Sequence, residues 1–247
     1  MNYAVAVRRI GMLGGMGPAA GAELARLFVE ACAEVMEQRG EPIRDQAYPE
    51  HVLLQVPFPD RTPALLSGST ELLEERMSAA LRRLEMLGVS TVGIACNTAH
   101  AWHAQLQVRH PGLELLNIGQ VVANELQRQG VGQVGLLATI GTYVSGVYDH
   151  ALQAAGVVCV APEPHERETL MRGIYEGVKA GNTALANELF VHVASALCKR
   201  HSLRALILAC TEIPLALCSR DLHDEVRMFD PAALLAKALA LRAYAER

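Results

Sequence analysis

The chain has 247 residues, of which 51% are apolar and 19% are charged, and its formal net charge is -4. A chain of this length can bury one substantial core or two smaller ones. The acidic balance argues against nucleic acid or an anionic membrane as a partner, because either would select a clustered basic surface.

The stretch before Gly11 does not have the charge order of an export signal, because Arg8 and Arg9 follow its short apolar run instead of preceding it. No run reaches the roughly 18 uncharged apolar residues of a membrane helix. We therefore expect a cytoplasmic protein. Its six cysteines contain no CxxC pair, which favours free thiols over a metal or redox site; they are Cys32, Cys96, Cys159, Cys198, Cys210 and Cys218.

Strand and helix patterns alternate along the first half, as in an α/β fold. In chain order, the predicted strands are 10–13, 51–56, 91–95 and 113–118, and the predicted helices are 18–38, 72–87, about 98–108 and 120–129. Pro18 suits the first position of its helix, and Gly88 suits a C-cap.

A second pass of the same pattern starts with a strand at 134–138, after the glycine break at 130–132. Residues 91–98 (TVGIACNT) and 205–211 (ALILACT) each deliver Ala-Cys at the carboxyl end of a strand. We infer two pseudo-symmetric, Rossmann-like α/β domains with parallel sheets and an active-site cleft between them. The predicted domains are 1–118, with the C-terminal helical segment 229–247 packing back on it, and 119–228.

Cys96 and Cys210 occupy equivalent strand-to-helix junctions, where the helix start favours thiolate chemistry. The alternative for either one alone is a small buried residue at a strand end. The other four cysteines lie in helical, strand-like or leucine-rich patterns, and we expect them to pack in the core.

Two opposed thiols suit inversion of a stereocentre, because one face of Cα needs a base and the other an acid. Charge on the developing enediolate would be met by backbone N–H groups of the loops at 14–17, 97–99 and 211–212, those of Met16 and Gly17 among them, and by the hydroxyls of Thr98 and Thr211.

A pyridoxal cofactor is not expected, because none of the three lysines has the setting of a Schiff-base former. Lys199 and Lys237 lie in helical patterns, and Lys179 in a turn-prone segment is better suited to pairing with a carboxylate. The glycine cluster at 11–18 also lacks the spacing of a dinucleotide-binding loop. We expect no cofactor and no metal.

Five motifs together resemble those of the aspartate/glutamate racemase family: GGMGP at 14–18, FPDRT at 58–62, ACNTAH at 95–100, LAT with GT at 137–142 and ACTEI at 209–213. The resemblance implies a homodimeric, cofactor-independent racemase of acidic amino acids, with Cys96 and Cys210 as its two bases. Arg61 and Lys179 match the cations that grip the substrate carboxylates. The remaining matches are polar groups that hold the amino acid: Asn97, Thr98, Thr139, Thr142 and Thr211.

The chain departs from the family pattern at Gly21, where threonine is usual, and at Gln55, where the residues before Phe58 commonly include Asn-Pro. These departures leave aspartate, glutamate and broader specificity open. Arg61 could also be a surface residue after a turn, and Lys179 an unrelated surface cation. His100 could tune Cys96 or simply pack, and Glu212 could orient a thiol or the substrate ammonium, or pair with an arginine.

Two other functions remain possible from sequence. A diacid cis-trans isomerase related to maleate isomerase would use one thiol as a nucleophile. A non-catalytic protein that binds small acids would not need paired cysteines. A hydrolase is disfavoured, because the spacing indicates no Cys-His-Asp or Cys-His-Asn relay.

Overall fold

A computed structural model describes residues 8–222 and 226–245. Three predictions include residues outside these ranges. They are the stretch before Gly11 (1–7), the second domain (223–225) and the C-terminal segment (246–247). The chain divides into two compact units: a first unit of Met1–Asp60, Gly68–Asn117 and Ala232–Arg247, and a second unit of Arg61–Ser67 and Ile118–Pro231.

The first unit is built on a four-stranded parallel sheet in the order β2-β1-β3-β4. Its strands are β1 (Ile10–Gly14), β2 (His51–Gln55), β3 (Thr91–Ile94) and β4 (Glu114–Leu115). Every residue of β1 and β3 is buried, as expected for a parallel sheet whose two faces are both covered.

Three helices of the first unit follow its strands in chain order: α1 (Pro18–Gln38), α3 (Glu71–Met86) and α4 (His103–Arg109). Pro18 occupies the first turn of α1, where its missing N–H has no helical partner to lose. Leu24, Phe28 and Cys32 recur every four residues on the buried face of this helix. Gly88 ends α3 with φ +75, a conformation that residues with a Cβ rarely adopt, and this confirms the predicted C-cap.

The second unit repeats this architecture with a parallel sheet in the order β6-β5-β7-β8. Its strands are β5 (Gln133–Ala138), β6 (Val158–Val160), β7 (Ala205–Ala209) and β8 (Arg227–Phe229). Its helices are α2 (Arg61–Ser67), α5 (Ile118–Arg128), α6 (Ile140–Ser145), α7 (Asp149–Ala154), α8 (Pro164–Arg172) and α9 (Thr183–His201). The matching strand orders confirm the predicted fold class of two α/β halves with parallel sheets.

Helix α10 (Pro231–Ala243) packs on the first unit although it follows the second unit in the sequence. Arg39 donates a hydrogen bond to the carbonyl oxygen of Tyr244 over 2.8 Å, and the Tyr244 hydroxyl donates to the carbonyl oxygen of Ala47 over 3.0 Å. A Cβ at Gly93 would lie 3.3 Å from the Leu235 side chain, so the sheet and α10 approach closely at this glycine. Within the described ranges, no helix is both long enough and apolar enough to cross a membrane.

The structure differs from the sequence interpretation at one strand, one helix and two cysteines. The predicted strand at 113–118 is only the two residues of β4, because Ile118 already begins α5. Residues 61–67, predicted as part of the first domain, form α2, which packs against α6 in the second unit. Cys159 and Cys218 are half-buried instead of lying in the core. Cys159 is on an edge strand, and the Cys218 thiol donates a hydrogen bond to the Asp221 carboxylate at 3.0 Å.

Candidate active site

Cys96 lies just beyond β3, beside the loop that follows β1. Leu13 and Ile94 are register partners on these neighbouring strands, and Ala95 N donates to Leu13 O over 2.9 Å. The chain therefore leaves both strands side by side, with Gly14 and Gly15 next to Cys96. Only 7% of the Cys96 surface is exposed.

The loop after β1 is shaped by the close approach of β2. Gly15 has φ +96, and a Cβ there would overlap the carbonyl oxygen of Val56, so this position requires glycine. Gln55 holds the same loop from its side, because its Nε2 donates to the carbonyl oxygen of Pro18 over 3.1 Å.

The start of α1 gives this loop its capacity for anion binding. Gly17 is the N-cap and has no side chain with which to satisfy the first helical amides. The N–H groups and the positive end of the helix dipole favour a carboxylate at such a position. The helix start therefore suits the predicted role of Met16 and Gly17 as substrate contacts, which stays a prediction.

A short 3-10 turn, Thr98–Trp102, follows Cys96 in place of a regular helix. Asn97 and Thr98 are both buried at its start. His100 stabilises the turn, since its Nδ1 lies 2.9 Å from the carbonyl oxygen of Cys96. Burial, together with the nearby His103, lowers the pKa of His100 to about 4. At neutral pH His100 is therefore an uncharged side chain that fixes the backbone of Cys96.

The second unit carries an equivalent arrangement around Cys210. Ala138 and Ala209 are register partners on β5 and β7, so Thr139 and Cys210 leave neighbouring strands side by side. The Thr139 hydroxyl oxygen lies 3.1 Å from that of Thr142 and accepts a hydrogen bond from its amide over 3.2 Å. These two predicted substrate contacts are thus brought together beside a thiol that is 6% exposed.

Glu212 contacts the Cys210 thiol, which is one of the alternatives that the sequence left open for this residue. The Cys210 thiol donates to Glu212 Oε2 over 3.0 Å, and the Thr211 hydroxyl donates to the same oxygen over 2.9 Å. A carboxylate at this distance favours the protonated thiol, because a thiolate would face a like charge. The signal for this pairing was only the position of Glu212, two residues after the cysteine.

Arg61 is buried at the first position of α2, with 9% of its surface exposed. The alternative of a solvated surface residue after a turn is therefore wrong. A guanidinium is almost never buried without acceptors, so this cation is placed for interaction with polar or anionic groups. Its helix packs against α6, which starts directly after Thr139.

Lys179 is exposed on a short turn, Val178–Ala180, and its Nζ lies 4.2 Å from the centre of the Tyr175 ring. The π-helical segment before it, Gly173–Gly177, is held tightly, because a Cβ at Gly177 would lie 2.6 Å from Cβ of Ala186 in α9. The segment before Lys179 is therefore closely packed against α9. The role of Lys179 as a carboxylate ligand remains a prediction.

The predicted site residues fall into two groups, one in each unit. The first unit holds Met16, Gly17, Cys96, Asn97 and Thr98, and the second holds Arg61, Thr139, Thr142, Lys179, Cys210 and Thr211.

Two cysteines outside the predicted site have raised pKa values. Burial raises the pKa of the Cys32 thiol to about 12. Burial also raises the pKa of Cys159 to about 11, so both of these thiols stay protonated at neutral pH.

The family model described as Asp/Glu/Hydantoin racemase matches residues 13–239, nearly the whole chain and both cysteine-bearing halves. The chain belongs to this racemase family. The motifs that predicted it lie in both units, and the matched residues include every predicted site position.

Individual relatives agree with the family. An aspartate racemase from Picrophilus torridus is 28% identical, with a TM-score of 0.78 over 97% of this chain and 95% of that one. An aspartate racemase homologue from Pyrococcus horikoshii is 26% identical, with a TM-score of 0.72 over 94% and 97%. The broad specificity amino-acid racemase RacX of Bacillus subtilis is 23% identical, over 93% of this chain and 95% of the relative.

Proposed function

We propose that this racemase interconverts the enantiomers of an acidic amino acid, aspartate or glutamate, without a cofactor, using Cys96 and Cys210 as its two bases. The observation that carries the proposal is the equivalence of the two thiols. Each is almost fully buried just past the carboxyl end of a central strand, beside a loop rich in hydrogen-bond donors.

The reaction needs one base and one acid at Cα. In one direction the Cys96 thiolate removes the α-proton and the Cys210 thiol returns a proton to the opposite face, leaving Cys210 as the thiolate. In the other direction the roles are exchanged, so each turnover prepares the protein for the reverse reaction. The electron pair released from the C–H bond passes into the α-carboxylate as an enediolate and returns to Cα when the second proton arrives.

The surroundings of the two thiols support unequal resting states. Glu212 accepts the hydrogen bond from the Cys210 thiol, which retains the proton there. Neutral His100 contacts the backbone of Cys96 and places no negative charge beside it. We therefore propose that Cys210 holds its proton when the substrate arrives and acts as the acid in the first of these directions.

A dicarboxylic substrate fits the cations of the second unit. The buried guanidinium of Arg61 suits bidentate binding of one carboxylate, and Lys179 supplies a second positive charge. The first amides of α1 provide donors for the charge that develops on the enediolate. The substrate preferences named for the relatives, aspartate in one and broad specificity in another, leave aspartate as the first candidate to test.

Solvent exchange tests this proposal directly. L-aspartate and L-glutamate are incubated separately with the protein in heavy water, and Cα deuteration is followed together with optical rotation. Loss of rotation with deuterium at Cα is the expected result for at least one of them. Absence of exchange with both would refute an acidic amino-acid substrate, and isomerisation of maleate without that exchange would move the assignment to a diacid isomerase.

A further inference from the structure

A hydrogen-bonded row of a hydroxyl, an imidazole and a carboxylate lies in the first unit, on α3 and at the end of α4. Ser78 Oγ is 2.9 Å from His110 Nε2, and His110 Nδ1 is 3.0 Å from Glu85 Oε2. Ser78 and Glu85 belong to α3, and His110 directly follows α4. The order hydroxyl, imidazole, carboxylate is that of a nucleophile, its general base and the group that orients the base.

The hydrogen-bond directions along this chain are consistent. Arg82 Nη1 donates to Ser78 Oγ over 3.1 Å, so the serine accepts from a cation. The Glu85 carboxylate can only accept, so His110 donates to it from Nδ1, and the Nε2 of the neutral imidazole accepts the proton of the Ser78 hydroxyl. The imidazole is thereby held as the tautomer that accepts a proton from the serine.

Ser78 also lines a surface groove with a volume of about 680 Å³. Although only 5% of its surface is exposed, the serine shares this groove with Arg76, Arg82 and Arg109, against the single carboxylate of Glu75. Glu74 pairs with Arg109 over 3.5 Å, so Arg76 and Arg82 against Glu75 leave the groove with a net positive charge. A small molecule that carries a negative charge is the ligand that such a lining favours.

We propose that Ser78, His110 and Glu85 form a second catalytic site, which hydrolyses small esters that carry a carboxylate. Ser78 Oγ attacks the acyl carbon while His110 Nε2 takes the hydroxyl proton. The bond to the leaving alcohol breaks, and His110 returns the proton to that alcohol. Water then attacks the acyl-serine with His110 as base, which releases the acid and restores the serine. The Arg82 guanidinium offsets negative charge at the reacting centre.

Covalent labelling of the full-length protein tests the nucleophile. The protein is treated with an alkyl fluorophosphonate, which phosphonylates activated serines with loss of fluoride, and the adduct is located by peptide mass spectrometry. We expect one adduct, on Ser78, formed at least ~100-fold more slowly in His110→Gln. The matched control is Ser195→Ala, which removes a helical serine of α9 and should label at the wild-type rate. Failure of the folded wild-type protein to label at Ser78 would overturn the proposal.

Ester hydrolysis tests the substrate class. It is measured in the Cys96→Ala, Cys210→Ala double variant, because these two thiols would also react with an active ester. Mono-4-nitrophenyl succinate should be turned over with a kcat/KM roughly 10-fold above that of neutral 4-nitrophenyl acetate. Arg109→Gln should reduce that preference, and adding Ser78→Ala should abolish the turnover. Turnover that survives the loss of Ser78 would contradict the site.

Glu85 acts as a positioning residue for His110, and a pair of variants separates this role from a structural one. Glu85→Gln keeps an acceptor oxygen, whereas Glu85→Ala removes it. At equal folded fraction by circular dichroism, labelling of Ser78 should be faster in Glu85→Gln than in Glu85→Ala. Equal labelling rates in the two variants would rule out the positioning role.

Discussion

The contact between Gly21 and Gln55 shows how the loop beside Cys96 is held. A Cβ at Gly21, in α1, would lie 2.6 Å from Gln55 Oε1 and 3.1 Å from the Cα of Gly14. The carboxamide can swing away, but Gly14 is backbone in a buried strand. Gly21→Ala therefore displaces Gln55 first and breaks its hydrogen bond to the carbonyl oxygen of Pro18.

Three contributions set the size of the effect. Alanine in place of glycine inside a helix stabilises by about 1 kcal/mol. Loss of the bond from Gln55 to Pro18 costs about 1 kcal/mol, and overpacking against Gly14 costs roughly 1–3 kcal/mol. The net loss in the free energy of unfolding is roughly 1–3 kcal/mol. In a Gln55→Ala background the contact and the bond are already gone, so Gly21→Ala should cost about 1 kcal/mol less there.

Urea unfolding of the two single variants and the double variant measures this coupling. The KM for the racemised amino acid should rise about fivefold in both single variants, the equivalent of 1 kcal/mol, because the loop they loosen is the proposed anion site. Gly132→Ala is the control, because a Cβ there meets open space. Its effect on the free energy of unfolding should add to that of Gln55→Ala without coupling. Additivity of Gly21→Ala and Gln55→Ala within about 0.5 kcal/mol would refute this reasoning.

Three further predictions concern His100, Arg61 and Glu212. The unfolded chain binds a proton at His100 below its ordinary pKa of 6.5, whereas the folded chain does so only near 4, so the stability that neutral His100 provides is lost as pH falls through this window. Unfolding at pH 7.5 and pH 5 should show a loss of about 2 kcal/mol that His100→Gln lacks; equal losses would contradict the assignment. Arg61→Ala should raise KM at least tenfold with a smaller change in kcat, because it removes a charge-assisted contact made to the bound substrate; unchanged steady-state kinetics would exclude Arg61 from the site. Glu212→Gln should speed modification of Cys210 by methyl methanethiosulfonate roughly 3–10-fold at pH 7, because the thiolate no longer faces a carboxylate. The modification rate is measured by mass spectrometry, and a rate that does not rise would show that Glu212 does not hold the thiol proton.

Local signals predicted the framework well. The start of α1 followed from Pro18, and the end of α3 followed from Gly88, because both residues have strong backbone preferences. The presence of two related α/β halves was predicted from two Ala-Cys strand ends, whereas their strand order was not predicted. α2 was not predicted; Pro63 lies in the first turn of this seven-residue helix, where proline is tolerated.

Contacts between distant parts of the chain could not be predicted. Gly21 and Gln55 are 34 residues apart, and nothing in either motif indicates that one fills the space the other leaves open. Ser78 and His110 meet only because α3 packs against α4. Burial is also a tertiary property: the sequence left open that Arg61 is a surface residue after a turn, and the packing of α2 against α6 decides against it.

The role of the two cysteines as paired bases is tested most directly by single substitutions. Racemisation of the accepted amino acid is measured from both enantiomers in Cys96→Ala and Cys210→Ala, with Cys32→Ala as a control, since that thiol is buried in α1 and protonated at neutral pH. Each of the first two variants should lower kcat at least ~1000-fold in both directions, because one face of Cα loses its proton carrier, and Cys32→Ala should keep the wild-type rate. Retention of racemisation in either Cys96→Ala or Cys210→Ala would contradict the two-base mechanism.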